Sequence, residues 1–152
     1  MLPKSIAEII TPLAGDLDNG IADLVLAMRE LGFETVSSCE GHFRPGEFCK
    51  GKPNVVFVAL DRGLLHSWIR EISLTESPEV LPIGIAMFPV WSPDRQIVHE
   101  DNWTLEIDAS ECADHIEAEN RRTVTVEFLL ATLEAASRRR PLAVDSFVRS
   151  RW

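Results

Sequence analysis

The run Val55-Val56-Phe57-Val58-Ala59-Leu60 constrains this chain most, because six successive apolar residues with no polar break must be buried. The segment Asn54–Leu60 therefore reads as a buried strand. Asp61 follows as a helix cap. Behind it, Leu64, Leu65, Trp68, Ile69 and Ile72 recur at the spacing of one helical face.

The same period appears earlier. Leu17, Ile21, Leu24, Val25, Met28 and Leu31 predict a helix over about 17–31, with Gly32 as its left-handed stop and Phe33 folding back onto the last turn. Thr35-Val36-Ser37-Ser38 then predicts a short strand rich in β-branched residues. Residues 39–53 hold three glycines, two prolines and two cysteines without periodicity, which predicts a long loop.

Downstream, residues 79–91 predict another strand, with Pro82 and Pro89 demoting its ends to edge or bulge positions. A polar turn at Ser92-Pro93-Asp94 leads to Asn102–Asp108, whose strict alternation predicts one buried and one wet face. A charged connector precedes a last helix over about 123–138, with Val126, Leu129, Leu130 and Leu133 as its core stripe. Strand pairs joined by turns, with helices between the pairs, predict an α+β fold. The expected form is an α/β sandwich with a largely antiparallel sheet of about four strands and three main helices. No linker divides the 152 residues, so a single domain, 1–152, is expected, with a flexible basic tail from about 139 that carries Arg139, Arg140, Arg149 and Arg151.

Charge narrows the function. A net charge of −9 disfavours a general nucleic-acid or anionic-membrane binder. No apolar run approaches the ~20 residues of a membrane span, and the start of the chain lacks a signal-peptide pattern. Three cysteines without dense spacing make no disulfide framework, so a reducing cytoplasm is the expected setting.

The densest chemistry lies in Ser37-Ser38-Cys39-Glu40-Gly41-His42, at a strand end entering the long loop. Gly41 permits a turn that brings backbone N–H groups close to a ligand. Cys39, Glu40 and His42 are the candidate catalytic groups, a thiol with an acid and a base beside it. Ser37, Ser38, Gly41 and Trp91 are the candidate ligand-binding residues, Trp91 by offering a planar surface. Each residue also has a plainer reading, as a buried thiol or a satisfied turn.

Two Cys-x-x-His pairs suggest a metal alternative: Cys39 with His42, and Cys112 with His115, with Cys49 and His99 as spare ligands. Zinc is held by such pairs when they converge. A non-enzymatic interaction module, acting through charged surfaces and open to homo-oligomerisation, is a further alternative.

The stretch Gly32-Phe33 through Thr35-Val36-Ser37-Ser38-Cys39-Glu40-Gly41-His42 resembles the Thr-Ser-Ser-Cys-Ser-Gly-Arg element of the wybutosine-synthesis N-methyltransferases that modify tRNA. The resemblance covers about a third of the chain, and implies an S-adenosylmethionine pocket walled by Ser37, Ser38, Cys39 and Gly41. Glu40 and His42 depart from that element, trading its arginine's positive charge for a carboxylate and a weakly basic ring. The segment also resembles a Ser-Cys-Glu-Gly-His element of small bacterial proteins. A small-ligand pocket at the Ser37–His42 turn, enzymatic or not, is the leading expectation.

Overall fold

The computed structural model describes residues 19–45, 52–75, 77–87, 90–92, 97–99 and 102–151; the side chains of 90–92, 97–99 and 140–151 lie outside that description. Helix α1 (Asn19–Glu30) leads into strand β1 (Glu34–Cys39), then β2 (Asn54–Val58) and helix α2 (Arg62–Thr75). Strands β3 (Ile83–Met87), β4 (Val90–Ser92), β5 (Ile97–His99) and β6 (Asn102–Ile107) precede helix α3 (His115–Arg151). The main sheet is antiparallel throughout, in the order β1-β2-β6-β3, and β4 pairs with β5 as a separate ribbon. The expected α+β fold, with a four-stranded antiparallel sheet and three helices, is what the described residues form.

Local signals explain the helix ends. At the end of α1 the Phe33 N–H donates to the Met28 carbonyl (3.0 Å) and the Gly32 N–H to that of Arg29 (3.1 Å). Gly32 takes φ +96°, so this is a Schellman stop in which only glycine avoids a Cβ penalty. Asp61 caps α2 by accepting the Leu64 N–H at 3.0 Å. Asp114 caps α3 by accepting the Glu117 N–H at 2.8 Å, while Glu117 reaches back to the Ala113 N–H at 2.7 Å. That Asp-x-x-Glu signal makes residues 115–122 helical, where a connector was expected. The backbone stays helical past 138 to Arg151.

One face of the sheet and all three helices share the core. Ile21, Leu24, Val25 and Met28 of α1 meet Val55 and Phe57 of β2, Leu64, Leu65 and Trp68 of α2, Leu105 and Ile107 of β6, and Leu129 and Leu133 of α3. Phe33 sits at the centre, edge-on to Phe57 at 5.4 Å and tilted against Trp68 at 5.9 Å. The Trp68 indole N–H is satisfied across the α2–α3 interface by Thr132 Oγ1 at 3.0 Å.

The run at 55–60 is not buried on both sides. Val55 and Phe57 are fully buried, whereas Val56 and Val58 are half-buried. Helices cover one face of an antiparallel sheet, so alternate residues turn to the other. Pro82 precedes β3, and β3 is an edge strand, as its flanking prolines require.

Strand β1 departs from regular alternation. Thr35 pairs with Phe57, but Ser37 pairs with the next residue, Val56, leaving Val36 as the extra residue of a β-bulge. Val36 has no opposite number and is 40 % exposed. Counting on from buried Thr35 without a bulge would place Cys39 on the helix side. The inserted residue reverses the phase, and Cys39 pairs with Asn54 instead.

Candidate functional site

That reversal sorts the Ser37–His42 segment onto two sides of the sheet. Ser38 lies opposite Val55, which in turn lies opposite Leu105; both partners are fully buried, so Ser38 is in register with the helix-covered face. Ser37 lies opposite Val56, and Cys39 opposite Asn54, on the face turned away from the helices. Following that register outward gives two rows. Ser37, Val56, Thr104 and Ala86 form one; Cys39, Asn54, Glu106 and Gly84 form the other.

The second row holds the polar groups. Neighbouring strands lie about 4.8 Å apart, so Glu106 stands roughly 10 Å from Cys39 at the backbone, with Asn54 between them. Lys52 Nζ approaches Glu106 Oε2 at 3.9 Å, and both side chains are about half exposed. Such a loosely held surface pair contributes little to stability and leaves both charges accessible to a solute. The Asn54 side-chain amide donates to the Lys52 carbonyl at 2.8 Å, which fixes its orientation.

Glu40 turns the other way. Its Oε2 accepts the Gly20 N–H at 2.7 Å, so this carboxylate closes the amino end of α1. The positive end of the helix dipole and an otherwise orphaned N–H both favour a carboxylate there. Glu40 is thus held on the helix side, away from the Cys39 row. Gly41 follows at φ +81°, a left-handed turn, and is buried. Its N–H donates to Cys39 Sγ at 3.4 Å. His42 is exposed, and Phe43 returns the chain to the core.

Arg122 of α3 organises this junction. Its Nη1 donates to the Glu40 carbonyl at 2.7 Å, and its guanidinium lies over the Phe43 ring, 4.8 Å from the centroid. The same guanidinium rests on Gly20, where an added Cβ would stand 2.6 Å from Arg122 Cζ. A larger residue at 20 would displace it.

Among the described residues no group of three or more His, Cys, Asp and Glu side chains is placed to hold a metal ion, so Cys39, His42, Cys112 and His115 do not make one four-ligand site. The spacing at 112–115 has a structural cause. Cys112 is buried in the core just before the α3 cap, and His115 is the first residue of the helix. Burial pushes the Cys112 thiol up from its ordinary value, with the Glu117 carboxylate adding to the effect.

Trp91 lies on β4, but its side chain falls outside the described residues, as do Cys49 and the His99 side chain. No helix of the described residues is long and apolar enough to cross a membrane.

Asn54, Glu106 and Arg122 are the residues that sequence reasoning passed over. The alternation of 102–108 already assigned Glu106 to a wet face, yet only the strand register aligns it with Cys39. Arg122 carried no local signal beyond its place in a charged stretch. No family model, no curated protein and no solved structure matches the chain.

Proposed function

We propose that this protein binds a small polar ligand on the outer face of its sheet, at the Cys39 end. The observation that carries this reading is the cross-strand row Cys39–Asn54–Glu106, with Lys52 beside it. It combines a thiol, an amide and a carboxylate on adjacent strands, the kind of base from which a site holds its geometry, with an ammonium from the segment just before β2. Ser37 and Thr104 add hydroxyls in the neighbouring row. A ligand carrying both a hydrogen-bonding group and a charge suits this set. Cys39, as a thiolate, is the nucleophile available to such a ligand. Glu40 is a structural cap in this reading and takes no part in proton transfer.

The test is a screen of small polar metabolites by two-dimensional amide NMR on the parent protein. Hits are expected to perturb residues 37–42, 54 and 104–106 together. The combined substitution Cys39→Ala with Glu106→Gln is expected to abolish those perturbations while the rest of the spectrum stays unchanged. Hits that perturb other surfaces, or that survive this double substitution, would sink the proposal.

A further inference from the structure

We infer that Arg122 is a positioning residue for the Cys39 thiol, acting through the single peptide bond between Glu40 and Gly41. The inference rests on the reading that Cys39 belongs to the site, and it extends that reading to how the thiol is held.

The Glu40 carbonyl and the Gly41 N–H belong to the same planar peptide unit and point from its opposite edges. The carbonyl accepts Arg122 Nη1 at 2.7 Å, and the N–H donates to Cys39 Sγ at 3.4 Å. Fixing one edge of a rigid plane fixes the other. A cation on the carbonyl also polarises the peptide and makes its N–H a better donor. Arg122 thereby presents an oriented, strengthened donor to the sulfur without touching it. The acceptor that gains most from such a donor is the thiolate, which is the reactive form.

The arrangement is built from several directions. Arg122 is held from below by the Phe43 ring and from the side by Gly20, whose missing Cβ makes room for the guanidinium. Its Nε is buried with no hydrogen-bond partner among the described residues, so the side chain gives up one bond to reach the Glu40 carbonyl. Glu40 is anchored in turn by Gly20 N–H, which keeps the peptide from rotating away. The left-handed turn at Gly41, φ +81°, is what aims the N–H back at residue 39. Among the described residues, the other charged or titratable groups that the turn and the strand register bring towards Cys39 are Glu40 and His42 on the turn, and Glu106 with Lys52 across the sheet.

The experiment reads Cys39 directly and needs no ligand. Iodoacetamide is applied to the folded protein, and alkylation of the Cys39 peptide is followed by mass spectrometry across pH. The thiolate forms the S–C bond as iodide leaves with the C–I electron pair, and the thiol proton goes to the buffer. Arg122→Ala is expected to slow the reaction about fivefold at neutral pH while leaving the slower alkylation of Cys112 in the same protein unchanged. Gly20→Ala is the second variant. It keeps every charge but pushes the guanidinium off its seat, and it places a better helix former in α1. It is expected to slow Cys39 alkylation in the same direction with no fall in melting temperature. If Arg122→Ala fails to fold, Gly20→Ala decides alone. A folded variant whose Cys39 alkylates as fast as in the parent, or faster, overturns the inference. Because alkylation needs no ligand, that failure is separate from a failure of the ligand screen.

Discussion

Glu40 accepts the backbone N–H of Gly20 at 2.7 Å, joining the turn after β1 to the amino end of α1 across twenty residues of sequence. The carboxylate that looks most like a catalytic acid in the sequence is therefore a helix cap supplied from a distance. Its removal leaves an orphan donor facing the positive end of a helix dipole.

Glu40→Ala is accordingly expected to cost about 1 kcal/mol of stability in urea denaturation. Glu40→Gln, which keeps an acceptor oxygen, is expected to lose less than half of that. A Glu40→Ala protein as stable as the parent would show that the cap contributes nothing.

Glu71 lies on the buried stripe of α2 and is paired with Arg139 of α3. Its side chain is only 9 % exposed, while that of Arg139 is 69 % exposed. Arg139→Ala strands a carboxylate in the core and is expected to cost about 1–2 kcal/mol, below the range of fully buried pairs because water screens the arginine. Replacing both partners, Glu71→Leu with Arg139→Ala, is expected to recover most of that loss in thermal melts. A double variant less stable than the single one would contradict this.

Asp108 is held below its ordinary value by the Ser110 hydroxyl, which donates to Oδ1 at 2.6 Å, and by the Ser110 N–H at 2.9 Å. A depressed carboxylate adds stability above its unfolded value, near pH 4, and loses it as the pH falls through the lower folded value. Ser110→Ala is expected to be slightly less stable than the parent at pH 7, with the gap closing at acid pH. The effect is small, because Asp108 is only partly buried and water screens it. Urea midpoints at a series of pH values measure it; a gap that widens in acid would reverse the assignment.

The thiols of Cys39 and Cys112 should separate cleanly in chemical modification. Cys112 is buried among apolar residues, with burial and Glu117 both favouring its protonated form. Cys39 is half-buried at a strand end on the outer face of the sheet. Native-state alkylation of Cys112 is expected to lag that of Cys39 by at least about tenfold, and the difference should vanish in urea. Equal rates in the native protein would place Cys112 in an accessible position.

What was legible in the sequence was whatever depends on near neighbours. The stripe Ile21, Leu24, Val25 and Met28, the Gly32 stop and the Asp61 cap all act within one or two turns, and each appears where its spacing predicts. The α3 start at His115 was legible too, in Asp114 and Glu117, but the surrounding charges made the stretch look like a solvated connector. For the candidate site, the sequence marks a segment but not how its residues are arranged. Cys39 and Glu40 are adjacent in the chain, but Cys39 ends β1 on the outer face while Glu40, past the strand, turns back to the Gly20 N–H, so a six-residue motif does not become one array of groups. The partners that matter, Asn54, Glu106 and Arg122, lie far off in the chain and are aligned by register and by helix packing. Neither leaves a trace in local composition.

The bulge at Val36 has a further consequence. A one-residue shift in pairing exchanges the two faces of a strand, and the bulge sets which phase the end of β1 takes against β2. In the observed phase the thiol looks outward; in the other it would be shut against the helices. The extra residue thus works as a latch on the availability of the thiol, and a one-residue slip would withdraw it from the outer face without changing a single side chain.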